Sequence, residues 1–425
     1  MLANPDLHHG LLGKKAILGF IVNAYWVAGT GAEKLIRQLR TEAHINEIFY
    51  LGSLKVFRDV SGSHMLLQIA NAVNGNPTVI KRVPAMSDGN AESFVTGKSK
   101  ILEYKKTPAQ LFRNGMIDLE EPVDELLEKL ENGVSLAELG IIRQGIAENP
   151  PSVTKKTDAA FGGRWTVGEG VFALRKEELA ALAIPVTERA LIKPYYDLCD
   201  LGRYWISEKP SLNLIYSTRH TWPAVNDFPS LREHLARFRP IMERRRETKA
   251  GTIGWWQLHW PRDENLWTSK KIVSVQMAAR PAFVLTDGAV FTSFSTNVFL
   301  KDSRARENEA YIVALLNSKA LWKWFQHNAK RRGGLEINGN VLGRARIHAI
   351  DFENATETAT HDEICRLADF MQSATRKVSQ SHTDHERTTL QREIEATDRD
   401  IDRLVYQLYE LTEQEVELIE NSTQT

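Results

Sequence analysis

Cysteine is nearly absent from this 425-residue chain, and its two copies, Cys199 and Cys365, lie far apart and match no metal-ligand spacing. A disulfide scaffold is thereby excluded, and a reduced cytoplasmic compartment is the expected setting. No run of 18 uncharged apolar residues occurs, so no membrane-spanning helix is expected. The opening MLANPDLHHG lacks the basic-then-apolar profile of a secretory leader. His8, His9, His382 and His385 have no cysteine or carboxylate pattern to complete a site, so no bound metal is expected. Net charge is missing too, with 54 Lys and Arg against 54 Asp and Glu. What is present, 42% hydrophobic and 25% charged residues, describes a globular chain long enough for two or three cores.

The neutral total hides an uneven distribution. Residues 1–192 hold 22 basic and 22 acidic side chains, residues 193–350 hold 25 and 14, and residues 351–425 hold 7 and 18. A basic middle of +11 precedes an acidic tail of −11. Local charge, not the total, is what a polyanion meets, so a nucleic-acid partner is expected, the alternative being chance clustering of charge on solvated faces.

Residues 16–22, AILGFIV, form an unbroken apolar run, as a strand covered on both faces would. Thr30 and Glu33 follow in capping-box spacing, and Leu35, Ile36 and Leu39 then make a helical stripe. INEIFYLG (45–52) and HMLLQIA (64–70) are further strands, which together predict the late part of a mostly parallel sheet. Residues 84–132 are polar, with short amphipathic pieces, and predict a linker with helical turns. A second region, from about residue 136, is rich in short strands and holds nine of the ten tryptophans. Residues 307–332 predict its clearest helix. Beyond residue 351 the composition becomes helical and acidic, with apolar positions at Ile394, Ile401, Leu404, Val405 and Leu408. Thr412 and Glu415 form a second capping box ahead of a short final helix.

Cations interleave with aromatics in the middle region. Lys193 precedes Tyr195 and Tyr196, while Arg203 precedes Tyr204 and Trp205. Phosphates attract Lys and Arg, base edges suit the planar fork of Arg, and aromatics supply rigid packing or stacking. The alternative is a core role for the rings and local ion pairs for Lys193 and Arg203. RFRPIMERRRETK (237–249) carries Arg239, Arg245, Arg246 and Lys249, and a helix would set Arg239 and Arg246 on one face. Glu243 and Glu247 offer internal partners there. GWWQLHWPR (254–262) predicts an aromatic strand with core tryptophans, ending at Arg262, with Arg280 beyond it. KRRGG (330–334) sets Lys330, Arg331 and Arg332 at the favourable C-terminal end of the long helix's dipole.

Several phrases resemble one family. GFIVNAYW, GTGAEKL and KVFRDVSGSHMLL are similar to late motifs of adenine-specific DNA methyltransferases of the type IIG restriction–modification group. IIRQGIA, GEGVFAL, ALIKPYYDLCDLGRYW, LIYSTR, EHLARFRPIMERRRE, GWWQLHWPR, KKIVSVQ and LLNSK resemble that group's TaqI-like specificity domain, and DIDRLVYQLYELTEQEVELIE its closing helices. The resemblance covers nearly the whole chain.

It implies S-adenosylmethionine as methyl donor and adenine in a specific DNA site as acceptor. It also implies a Gly-rich cofactor loop and an (N/D)-P-P-(Y/F) tetrapeptide, and neither is found among these residues. Asn4-Pro5-Asp6-Leu7 has a carboxylate where the second proline belongs and no ring to stack an extruded base. No PD-(D/E)xK nuclease cluster is found either. By the resemblance, Phe57 in KVFRD would pack against the extruded base.

The expected fold is therefore α/β, a partial Rossmann-like methyltransferase sheet, followed by an α+β target-recognition domain and C-terminal helices. The expected divisions are 1–84 (end of the catalytic domain), 85–135 (linker), 136–350 (target recognition) and 351–425 (helical). The chain is expected to be inactive alone, as a split subunit, a decayed gene or a truncated gene model. The expected contacts with double-stranded DNA are Lys193, Arg203, Tyr204, Arg239, Arg245, Arg246, Lys249, Arg262, Arg280, Lys330, Arg331 and Arg332. One alternative is a non-catalytic specificity subunit that complements a separate catalytic chain. Another is a soluble protein whose basic middle serves protein contacts, shielded by the acidic tail.

Overall fold

The structure, a computed structural model, describes residues 16–52, 54, 62–71, 73–83, 101–113, 115–331, 334–381 and 383–423. Residues 4–9, Phe57, Arg332 and His382 lie outside the described residues. Two compact units emerge, residues 1–129 with 324–336, and residues 130–323 with 337–425.

The first unit is built on a five-stranded sheet. Its strands are β1 (Ile17–Asn23), β2 (His44–Gly52), β3 (His64–Ala70), β4 (Thr78–Arg82) and β5 (Leu102–Lys106), in spatial order β1-β3-β2-β4-β5. The mostly parallel sheet expected from the sequence is not what forms. β3 runs antiparallel to both β1 and β2, β5 runs antiparallel to β4, and only β2 and β4 pair in parallel. β1 is an edge strand, with Ile17 and Ile21 exposed on one face, not a strand covered on both. Helix α1 (Glu33–Glu42) buries Ile36 and Leu39 against Ile45, Ile48, Leu67 and Ile80, as the stripe predicted. Its cap differs: Ala32, not Thr30, occupies the N-cap, without a side-chain bond.

The polar stretch read as a linker supplies β5 and a buried charge cluster. Lys106 Nζ lies 2.8 Å from Asp118 Oδ2, and His327 Nδ1 lies 3.1 Å from the same oxygen. Arg82 pairs with Glu120 at 2.7 Å. An isolated buried charge would be prohibitive, so these partners explain why polar sequence can lie inside.

The second unit holds two four-stranded sheets. One is β7-β9-β8-β12, from β7 (Ala173–Arg175), β8 (Ile192–Tyr196), β9 (Leu212–Ile215) and β12 (Phe291–Thr292). The other is β11-β10-β13-β6, from β6 (Gly140–Gln144), β10 (Lys271–Val275), β11 (Phe283–Thr286) and β13 (Thr296–Lys301). Phe172, Tyr195, Tyr216, Trp222, Phe238, Trp267 and Phe291 fill the core. Residues 254–262 form turns rather than the expected strand. The cationic run is likewise not one helix: it breaks into Arg239–Met242 and Arg246–Lys249.

The helix expected over 307–332 is interrupted. Ser318, with extended backbone at φ −68° and ψ 156°, separates α2 (Glu309–Asn317) from α3 (Lys319–Asn328). Lys330 and Arg331 lie beyond α3 in a two-residue strand paired with Leu335–Glu336, not at a helix end. The tail forms α4 (Ala355–Gln380), α5 (Asp384–Leu408) and α6 (Glu413–Ser422), with the Thr412–Glu415 capping box in place.

β6 is seated by two close backbone approaches. A Cβ on Gly140 would stand 2.1 Å from Leu300 O, and one on Gly145 would stand 1.9 Å from Ser293 O. Both positions therefore admit only hydrogen at Cα without movement of the main chain. Gly145→Ala should lower unfolding free energy by about 1–3 kcal/mol or more, the usual cost of overpacking, read from denaturant midpoints. An unchanged midpoint would show that this approach is not close in solution.

Candidate nucleic-acid interface

Where β6 leaves its sheet, Arg143 is exposed and Arg262 half-buried. Ala147 and Trp260 exchange backbone hydrogen bonds (Ala147 N to Trp260 O, 3.1 Å; Trp260 N to Ala147 O, 2.9 Å). This bridge ties the end of the β6 segment to the turn that carries Arg262. Arg262 takes a left-handed φ of 63°, which aims its side chain back across that bridge. Its Nε donates to Gly145 O at 3.2 Å, its carbonyl accepts from the Tyr216 hydroxyl at 3.1 Å, and its guanidinium lies over the Trp260 ring. Burial first, then the nearby charge of Arg143, lowers its pKa.

Trp260 is 44% exposed and Phe294 39% exposed, with ring centroids 6.1 Å apart. The His259 ring lies 4.5 Å from that of Trp260, tilted by 39°. Beside them opens a cleft of about 620 Å³, lined in part by Arg219, His220, Glu247, His259 and Arg262. Glu247 Oε2 lies 3.4 Å from His259 Nδ1, whose pKa burial lowers. Arg219 and His220 are exposed at the rim. Among the described residues no His, Cys, Asp and Glu side chains converge as three or more metal ligands.

The nine candidates that lie in the second unit do not form one surface. Arg262 is at the cleft. Arg246 is exposed beside Glu247 at 2.8 Å, and Lys249 is exposed one turn on. Arg239 pairs with Glu243 at 2.6 Å over the Trp255 ring. Lys193 pairs with Glu264 at 2.9 Å and sits above the Phe291 ring. Lys330 is half-buried in the first unit, whose short strand also carries Arg331.

Arg245 is buried. Its guanidinium donates to the carbonyls of Met242, Gln257, Gly254 and Trp255 at 2.8–3.1 Å and to Thr248 Oγ1, and burial lowers its pKa to about 10. It organises the 242–257 turns and has no fork left for a phosphate.

Arg203 and Arg280 share one acid. Arg203 Nη2 bonds Asp398 Oδ1 while Arg280 Nη2 reaches Asp398 Oδ2 at 3.0 Å. Arg203 also donates to Asn317 O through Nε at 3.2 Å and Nη2 at 3.0 Å, and Tyr204 is fully buried beneath it. This is the ion-pair alternative that the sequence left open for Arg203. The acid comes from the acidic tail.

Arg143, Arg219 and Phe294 were not singled out from the sequence, and Trp260 was expected in the core. Arg143 sits in the IIRQG phrase, where period-two alternation turns Ile141 and Arg143 outward together. Arg219 and Phe294 lie in turns that carry no periodic signal.

No family model matches the chain. It is 28% identical over 86 residues to the Type II methyltransferase M.HindII of Haemophilus influenzae, a match covering 20% of this chain and 17% of that protein. Its fold is similar to that of the Type IIL restriction–modification enzyme MmeI, solved in complex with DNA, with a TM-score of 0.63 at 11% identity. That likeness covers 96% of this chain and 49% of the solved one, so the chain spans about half the length of that enzyme. The mixed α/β architecture with closing helices is thus a known one.

Two outcomes follow from the buried groups. Asp398→Ala leaves Arg203 and Arg280 without their carboxylate, and unfolding free energy should fall by about 3–5 kcal/mol, measured by denaturant unfolding.

Glu148, one residue beyond the Ala147 bridge, accepts the Tyr195 hydroxyl and is buried, which pushes its carboxyl up to about 7 from 4.5. Between these values the unfolded chain releases the proton and the folded chain keeps it. Stability therefore falls as pH rises through this window, and the loss is complete above about 7. Glu148→Gln removes the titration. Its advantage over the natural chain should be near zero at pH 4.5 and grow to on the order of 3 kcal/mol by about pH 8. A pH-independent difference would contradict the assignment.

Proposed function

We propose that the second unit is a DNA target-recognition module of an adenine-specific, type IIG-like methyltransferase. The observation that carries this is the clustering of Arg143, Arg219 and Arg262 with exposed aromatics on one face, as groove and phosphate recognition requires. The MmeI-like fold and the match to a methyltransferase support the same reading. In this reading Arg262 and Arg143 face base edges, while Arg219, Arg246 and Lys249 face phosphates. Arg203, Arg245 and Arg280 serve as scaffold. S-adenosylmethionine and the target adenine would be held by elements that the resemblance requires and these 425 residues do not contain, in a longer polypeptide or a separate chain. Phe57 would then meet the extruded base.

The test is binding of the full chain to randomised duplexes at several salt concentrations. Affinity should fall by orders of magnitude between roughly 50 and 200 mM salt as condensed counterions are released. Replacing Arg246 or Lys249 with Ala should weaken all sequences alike and flatten the salt slope by about one unit each. Arg262→Ala should instead cost on the order of 1–3 kcal/mol on the enriched site with little loss on random DNA. Salt-independent binding, or no enriched sequence, overturns the proposal.

A further inference from the structure

Trp260 and Phe294 are large rings left open to solvent, with Trp260 at a cleft whose lining sets Arg219 and Arg262 beside Glu247, Asp263 and Glu264. Trp260 is not on a floppy loop. Its backbone is bonded in both directions to Ala147, and neighbouring Arg262 is anchored to Gly145. The rings of His259 at 4.5 Å and Phe294 at 6.1 Å pack against the indole at tilted angles. Met277, on the same end of the β10 sheet, is also exposed, while Gln276 is tied by its side chain to Phe294 O at 3.2 Å and Thr296 O at 3.0 Å. An aromatic plane that is rigid, projecting and flanked by Arg143 and Arg262 has the chemistry of a base-stacking platform. Apolar rings inserted at a base step unstack it, and the cations beside them hold the displaced backbone.

We propose that Trp260, braced by His259 and Phe294, stacks on a nucleobase at a locally unstacked step of the bound duplex. Part of the recognition is then indirect, because steps that unstack easily bind better than stiff ones at a position no side chain reads by hydrogen bonding. The inference rests on the DNA-binding reading above.

The experiment uses the full chain, the variants Trp260→Ala and Trp260→Phe, and the duplex enriched by the natural protein. Stacking of one base corresponds to about a 5- to 150-fold affinity loss for Trp260→Ala, with Trp260→Phe recovering most of it. The salt slope should be the same for all three, since an indole displaces no counterion. A duplex with thymines placed at each position in turn should show one step that becomes permanganate-reactive with the natural chain and not with Trp260→Ala.

Affinity of Trp260→Ala within about twofold of the natural chain, or no reactive step, overturns the stacking inference while leaving DNA recognition in place. A loss of affinity accompanied by a lowered melting temperature and no rescue by Phe makes Trp260 structural, which also overturns it. If the natural chain binds no duplex in a salt-dependent way, the functional reading itself fails first.

Discussion

The second unit depends on a single carboxylate. Asp398, on α5, receives Arg203 from the turn after Gly202 and Arg280 from the segment before β11. Arg203 in turn seals the end of α2 through Asn317 O, and the Asn317 side chain brackets Phe283 on both its N–H and its carbonyl. Two residues further on, the Lys319 N–H donates to Asp402, four residues beyond Asp398 and on the same face of α5. The backbone break at Ser318 is what exposes these end groups for capture. A helix running through would have used them internally. Removing any one partner leaves the others charged and enclosed, so the cluster holds as a unit or not at all.

That arrangement gives the charge asymmetry a structural meaning. Part of the acidic tail is not a free polyanion: Asp398 takes two arginines of the basic middle and Glu420 takes Lys319. The cations left to meet a polyanion are therefore fewer than the sequence excess suggests.

Periodic signals in the sequence were legible and unpaired local signals were not. The Ile36–Leu39 stripe, the α5 apolar positions and the Thr412–Glu415 box all reappear, because each is set within one or two helical turns. Strand direction is decided by partners far along the chain, and nothing within HMLLQIA says that β3 will insert antiparallel between β1 and β2. The polar 101–120 stretch was read as a linker because Lys106 and Asp118 look like surface residues until His327 is brought beside them. Arg203 stood out for its aromatic neighbours, but its partner lies 195 positions away. Trp260 was assigned to the core by residue type, which is the usual outcome for tryptophan and fails where a backbone bridge turns the ring outward.

The two glycine-only seats at Gly140 and Gly145 leave four residues between them, and within that window Ile141 and Arg143 point away from the sheet while Ile142 points in. With its ends locked, this edge cannot slide by one residue and turn its inner face outward. The outward positions can then be rewritten while the frame stays still. A combinatorial library over 141 and 143 would sample new surface chemistries on an unchanged chassis, which is the property sought in a scaffold for evolving altered preferences.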